Sequence, residues 1–150
     1  MQTVTECGEW LLRRRVLPQH TDHAGVMWHG AYLGWLEEAR VEALAAVGMA
    51  YSELSARGLE LPLVSLRLDY RIALVHGELV ELSSRVLPRR GARLPWCTRF
   101  LRADGRVAAE AHVELVLVAS GVHGPDGLTL QRRWPEDLQA AVERLALGPR

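Results

Sequence analysis

The sequence predicts an α+β chain in which a curled antiparallel sheet wraps around one long helix. Three observations carry this. Apolar residues recur by threes and fours from Tyr32 to Val47, the period changes to two beyond Leu61, and an Asp-Gly pair at Asp104-Gly105 separates two alternating runs. At 150 residues the chain reads as one domain, 1–150, able to bury roughly two thirds of its unfolded surface in one core.

The elements follow in order. Glu9 to Pro18 reads as a first strand of imperfect alternation, which Pro18 interrupts or ends because proline cannot donate to a ladder. A loop from His20 to Gly30, with Gly25 inside it, leads into the helix. Tyr32, Trp35, Leu36, Ala39, Ala43, Ala46 and Val47 share one helical face, and Glu37, Glu38, Arg40 and Glu42 fall between them. Gly48 stands where a left-handed cap ends a helix. A shorter helical piece is expected next, opened by Ser52 as N-cap and closed by Gly58.

Val64, Leu66, Leu68 and Tyr70 then alternate with Ser65, Arg67 and Asp69, the pattern of a sheet covered on one face. Glu78 to Leu87 continues it with Val80, Leu82 and Val86, and Arg93 to Arg102 with Leu94, Trp96 and Phe100. The turn at Asp104-Gly105 makes the strand before it an antiparallel neighbour of a long strand, Val107 to Val118. Gly121 to Gly127 is turn-rich. A last helix begins near Pro135, since proline suits the first helical turn, and places Leu138, Ala141, Val142 and Leu145 on one face.

Composition narrows the function. Lys plus Arg and Asp plus Glu are both 18, so formal net charge is zero, and no basic stripe is interleaved with aromatics as single-strand binding requires; nucleic acid is not an expected partner. The arginines cluster at 13–15, 89–90 and 132–133, as solvated strand faces and turns or as contacts for a phosphate-bearing ligand. Cys7 and Cys97 form neither a disulfide framework nor a metal-ligand spacing, and read as free thiols of a reducing compartment. No signal-peptide run and no membrane span is expected, so a cytoplasmic, non-membrane location is the default. Val107 to Val118 is apolar on much of both faces. A lone copy would expose aggregation-prone surface, and self-association is expected.

The loop before the helix carries the chemistry. Asp22 sits between a strand and a helix start, where backbone N–H groups lack partners and the dipole favours negative charge. By itself Asp22 reads as an Asx-turn or loop cap, or as an acid-base group. His20, Asp22 and His23 offer too few ligands for a metal site.

These residues resemble the hotdog-fold acyl-CoA thioesterases of the 4-hydroxybenzoyl-CoA thioesterase type. The resemblance rests on Thr21-Asp22, Ala24-Gly25, Val26-Met27, Trp28-His29, Tyr32 and Glu38-Ala39-Arg40, with a matching order of elements from Glu9 to Ser120. It departs where the family has a first Asp and this chain has His20. A weaker likeness, through Leu61-Pro62-Leu63-Val64, is to the 1,4-dihydroxy-2-naphthoyl-CoA thioesterase branch.

The resemblance implies a thioester hydrolase acting on an acyl-CoA. Asp22 would be nucleophile or general base, and the N–H groups of His29 and Gly30 would polarise the carbonyl. The His29 side chain would orient water or bond to the backbone. Gly25 and Gly30 would let the thioester approach the backbone. Trp28, Tyr32 and Trp35 would suit an aromatic acyl group and would equally suit an ordinary core. Arg89 and Arg90 would meet CoA phosphates or simply form an exposed turn between strands, and Glu38 would face the cleft, solvent or an interface. No metal or other cofactor is called for, because a thiolate leaves readily. The family pairs sheets edge to edge, as a homodimer or homotetramer. Two other readings are a non-catalytic acyl-CoA or acyl-carrier binding module and a hotdog dehydratase; for the latter, Trp28-His29-Gly30-Ala31 lacks the expected proline.

Overall fold

The computed structural model describes residues 8–120 and 127–149. Five strands form one antiparallel sheet in the order β1-β4-β5-β6-β3, where β1 is Trp10–Arg15, β3 Leu63–Tyr70, β4 Leu79–Val86, β5 Arg93–Arg102 and β6 Val107–Val116. A smaller sheet joins β2 (Leu59–Glu60), β7 (Val118–Ser120) and β8 (Leu128–Leu130) in the order β2-β7-β8. The helices are α1 (His29–Ala46), α2 (Tyr51–Ala56) and α3 (Glu136–Leu147).

α1 is about 27 Å long, at 1.5 Å per residue, and the core is built along it. Its first half buries Ala31, Tyr32, Trp35, Leu36 and Ala39 against Val80, Leu82 and Phe100. Its second half buries Ala43 and Leu44 against Val86, Leu94, Trp96 and α3's Leu138, Ala141, Val142 and Leu145. The alternation in β4 and β5 thus places the expected apolar face inward. The face of α1 differs at one residue, since Ala46 is exposed and Leu44 is buried instead.

Other departures have local causes. The first strand ends at Arg15, and Pro18 opens a 3-10 turn, Pro18–His20. Ala50, not Ser52, precedes α2, and no side chain caps it. Pro135 stands just before α3, its carbonyl accepting from Gln139 at 2.9 Å. The expected long strand Val107 to Val118 is split. Val116 N–H reaches Pro62 O at 3.1 Å, and because Pro62 cannot donate in return the ladder stops; Val118 then pairs with Glu60 in the second sheet. Residues 121–126 of the turn-rich stretch lie outside the described residues, as does Cys7.

The exposed apolar surface is also not where the sequence predicts it. β6 lies between β5 and β3, with Glu110, His112 and Glu114 on its outer face. β3 is instead the edge, and its apolar residues Val64, Leu66 and Tyr70 are exposed. A bulge at Val64, between the pairs Leu63/Leu115 and Ser65/Glu114, leaves that residue unpaired.

Candidate active site

The Asp22 loop is closed by its own backbone. Asp22 N–H donates to Val26 O at 2.8 Å, Thr21 bridges Met27, and Trp28 N–H donates to His20 O at 3.1 Å. The loop is also fastened to the segment after β3, where Met27 N–H meets Leu74 O at 2.7 Å and Val26 bridges Val75. Gly25, at the bend, has φ +77°, a conformation that side chains rarely adopt. These bonds set the direction in which the chain enters α1.

Asp22 is exposed. Its Oδ1 accepts from Ala24 N–H at 2.8 Å and Val26 N–H at 3.3 Å, an Asx-turn that fixes the carboxylate within the loop. Its Oδ2 has no protein partner among the described residues, so an oxygen is left free. The Asx-turn and a chemical role are therefore compatible in one side chain.

The opening of α1 is uncapped. Trp28 occupies the N-cap without a side-chain bond and the first turn holds no acidic residue. Ala31 N–H turns back to Trp28 O at 2.9 Å, whereas the N–H groups of His29 and Gly30 find no acceptor among the described residues. Two unpaired donors at a helix N-terminus form a ready site for a developing negative charge.

The histidines divide. His20 is held away from Asp22, its Nδ1 accepting from Leu17 N–H at 3.0 Å and its ring edge-on to Trp35 at 5.2 Å. His29 is exposed and meets Trp28 edge-on at 5.2 Å. His20, Asp22 and His23 do not converge as ligands.

Trp28 and Tyr32 have different positions. Trp28 is 45% exposed at the helix mouth, whereas Tyr32 lies in the core, edge-on to Tyr70 at 5.0 Å and Phe100 at 5.1 Å. Burial, then Tyr70 and Glu78, pushes the Tyr32 hydroxyl up to about 12. Tyr70, not singled out from the sequence, shares this corner and is 53% exposed. Its alternation with Asp69 was the available signal, but not its contact with Tyr32.

Arg89 and Arg90 lie elsewhere, between β4 and β5 at the far end of α1. Arg89 stacks over Trp134 at 4.7 Å and bonds to Gln139 Oε1 at 3.1 Å. Beside it a groove of about 690 Å³ runs between Pro88, Gln139 and Leu147. Glu38 is paired with Arg14 at 2.7 Å on the exposed side of α1. Cys97 is free and half-buried, and burial raises its thiol above the ordinary range, so it is not an activated nucleophile.

Comparison with known proteins matches residues 16–142 to the thioesterase-like superfamily. The chain belongs to the thioesterase-like superfamily. A relative in Synechocystis, sll0410, provisionally named an esterase, is 41% identical over 147 residues, 97% of this chain and 84% of its own length. The acyl-CoA thioester hydrolase YbgC of Escherichia coli is 26% identical, covering 69% of this chain and 78% of its own. The fold of this thioesterase-like chain is also that of Slr0204, a 1,4-dihydroxy-2-naphthoyl-CoA thioesterase from Synechocystis, with TM-score 0.78, 21% identity and coverage of 90% and 96%. The architecture is accordingly the hotdog fold, and the chain is a thioester hydrolase at the level of its family. No helix among the described residues is long and apolar enough to cross a membrane.

Proposed function

We propose that this chain hydrolyses an acyl-CoA to the free acid and CoA, using Asp22 and the first N–H groups of α1. The observation that carries the reading is the pair of unpartnered donors on His29 and Gly30, beside a loop that holds an exposed carboxylate. The thioester carbonyl oxygen would sit against those donors, which stabilise it as charge develops. Asp22 would either take a proton from water as it adds to the carbonyl carbon or attack that carbon itself. The carbon–sulfur bond then breaks, and the CoA thiolate leaves and is protonated; on the direct-attack route the acyl group is left as an anhydride on Asp22, and a water hydrolyses it to the free acid and restores the carboxylate. The side chain of His29, exposed at the same mouth, would orient the water.

Trp28 and Tyr70 offer flat apolar surface at that mouth, over the buried Tyr32, and this favours an aromatic acyl group such as 1,4-dihydroxy-2-naphthoyl. The unpaired edge of β3 favours edge-to-edge pairing of two copies. Arg89 and Arg90, at the far end of α1, would reach CoA phosphates only at a site completed by another subunit.

The test is Asp22→Asn. The amide oxygen retains the two loop hydrogen bonds, so the fold is expected to persist while turnover falls by about 10²-fold or more. Rates are read as thiol release from a panel of aromatic and aliphatic acyl-CoAs. Wild-type rates in the variant would overturn the role of Asp22, and indifference to aromatic substrates would overturn the acyl preference.

A further inference from the structure

The register of β5 against β6 places Cys97 directly opposite His112. Their neighbours Trp96, Thr98, Ala111 and Val113 are buried on the inner face. Because successive side chains of a strand alternate, Cys97 and His112 stand on the outer face, and Glu110 stands there too, two residues from His112. Glu110 Oε1 lies 3.1 Å from His112 Nε2 and 3.9 Å from Cys97 Sγ. All three ligand atoms fall within 4.8 Å of one another.

We propose that Cys97, Glu110 and His112 form a binding site for a zinc-class divalent cation, on the outer face of the sheet and separate from the Asp22 loop. Tetrahedral zinc bonds at about 2.3 Å to sulfur and about 2.0–2.2 Å to nitrogen and oxygen, which sets ligand atoms roughly 3.3–3.6 Å apart. The two separations from Glu110 Oε1 bracket that range and the third, between Sγ and Nε2, is at most 4.8 Å, so the three side chains close on an ion by rotation about their own bonds on two strands already in register. Three protein ligands leave the fourth position to water.

The donor set selects the metal. One sulfur, one nitrogen and one oxygen suit zinc, or cobalt in its place, and not the all-oxygen shells of magnesium or calcium. Glu110 is oriented by a second group, since its Oε2 accepts from Arg71 at 3.0 Å and leaves Oε1 turned to the site. The surrounding charge does not forbid a cation. Arg99 is engaged by Glu9 at 2.9 Å, Arg71 by Glu110 itself, and Arg67, across from His112, by Asp69 at 3.0 Å. Arg93 is engaged by Glu114 at 2.8 Å, and Arg85, across from Cys97 on β4, faces a thiolate once metal binds.

The experiment uses the full chain, free of affinity tags and stripped with a chelator, titrated with Co²⁺ as a visible surrogate. One equivalent is expected to give thiolate-to-cobalt charge-transfer absorption, which Zn²⁺ then displaces. Cys97→Ser is expected to abolish the band and Cys7→Ser to retain it. His112→Gln, at an exposed side chain that leaves the fold undisturbed, is expected to weaken the apparent affinity by at least about tenfold. That variant also decides the matter if Cys97→Ser fails to fold. No band in the wild type, a band that survives Cys97→Ser, or an affinity unchanged in His112→Gln would each overturn the site.

Discussion

The indole of Trp28 lies over Gly30, occupying the space that a Cβ at position 30 would take. The N-cap residue of α1 thus packs on the Cα side of the opening turn of its own helix, whose first N–H groups are proposed to bind the thioester oxygen. Gly30→Ala keeps that N–H but displaces the ring. Alanine is the better helix former by roughly 0.5–1 kcal/mol, so thermal stability is expected to be retained. Turnover is expected to fall by up to about 10²-fold, the scale for misplacing a reacting group by an ångström. Melting and thiol-release assays on one preparation separate the two, and unchanged turnover would show that the placement of the ring does not matter.

Ser84 and Thr98 face each other across β4 and β5, both buried, with hydroxyls 2.8 Å apart. Thr98→Val strands the Ser84 hydroxyl and is expected to destabilise by about 1–3 kcal/mol. Adding Ser84→Ala is expected to recover most of that loss, because no unpaired group then remains. Denaturant unfolding of the two singles and the double checks the non-additivity.

Tyr32 sets an alkaline limit. Its hydroxyl is held at about 12 in the folded chain against an ordinary value near 10. With the folded value raised, its contribution to stability is complete below pH about 10 and is lost as pH rises towards 12. Tyr32→Phe is expected to flatten the fall in stability across that window and to change little at pH 7. Urea midpoints from pH 8 to 12 for both proteins test this; parallel curves would contradict it.

The β3 edge makes a claim about assembly. Leu66 is 41% exposed on an edge whose outer hydrogen-bonding side is unpaired. Leu66→Lys places a charge there, one of the means by which proteins keep edges from pairing. Light scattering at micromolar concentration is expected to show a dimer or larger species for the wild type and a shift to monomer for the variant. A monomeric wild type would dispose of the proposed assembly.

Much of the architecture was legible in the chain, because a local period reports which face a core covers. The spacing from Tyr32 to Val47 located α1, the alternation of Leu94, Trp96 and Phe100 located an inward face of β5, and Asp104-Gly105 located the turn between β5 and β6. The loop at Asp22 was equally visible, since Gly25 and the following helical pattern are neighbours in sequence.

What depends on distant segments was not legible. That β3 is an edge, that β6 ends where Pro62 fails to donate, that Arg89 is drawn onto Trp134, and that Tyr70 meets Tyr32 all follow from strand order and packing. The sequence by itself determined the elements, their faces and the Asp22 loop. Only the tertiary structure decided which side chains meet, above all Cys97 with Glu110 and His112. The reason is that register joins residues far apart in the chain through contacts that no local pattern encodes.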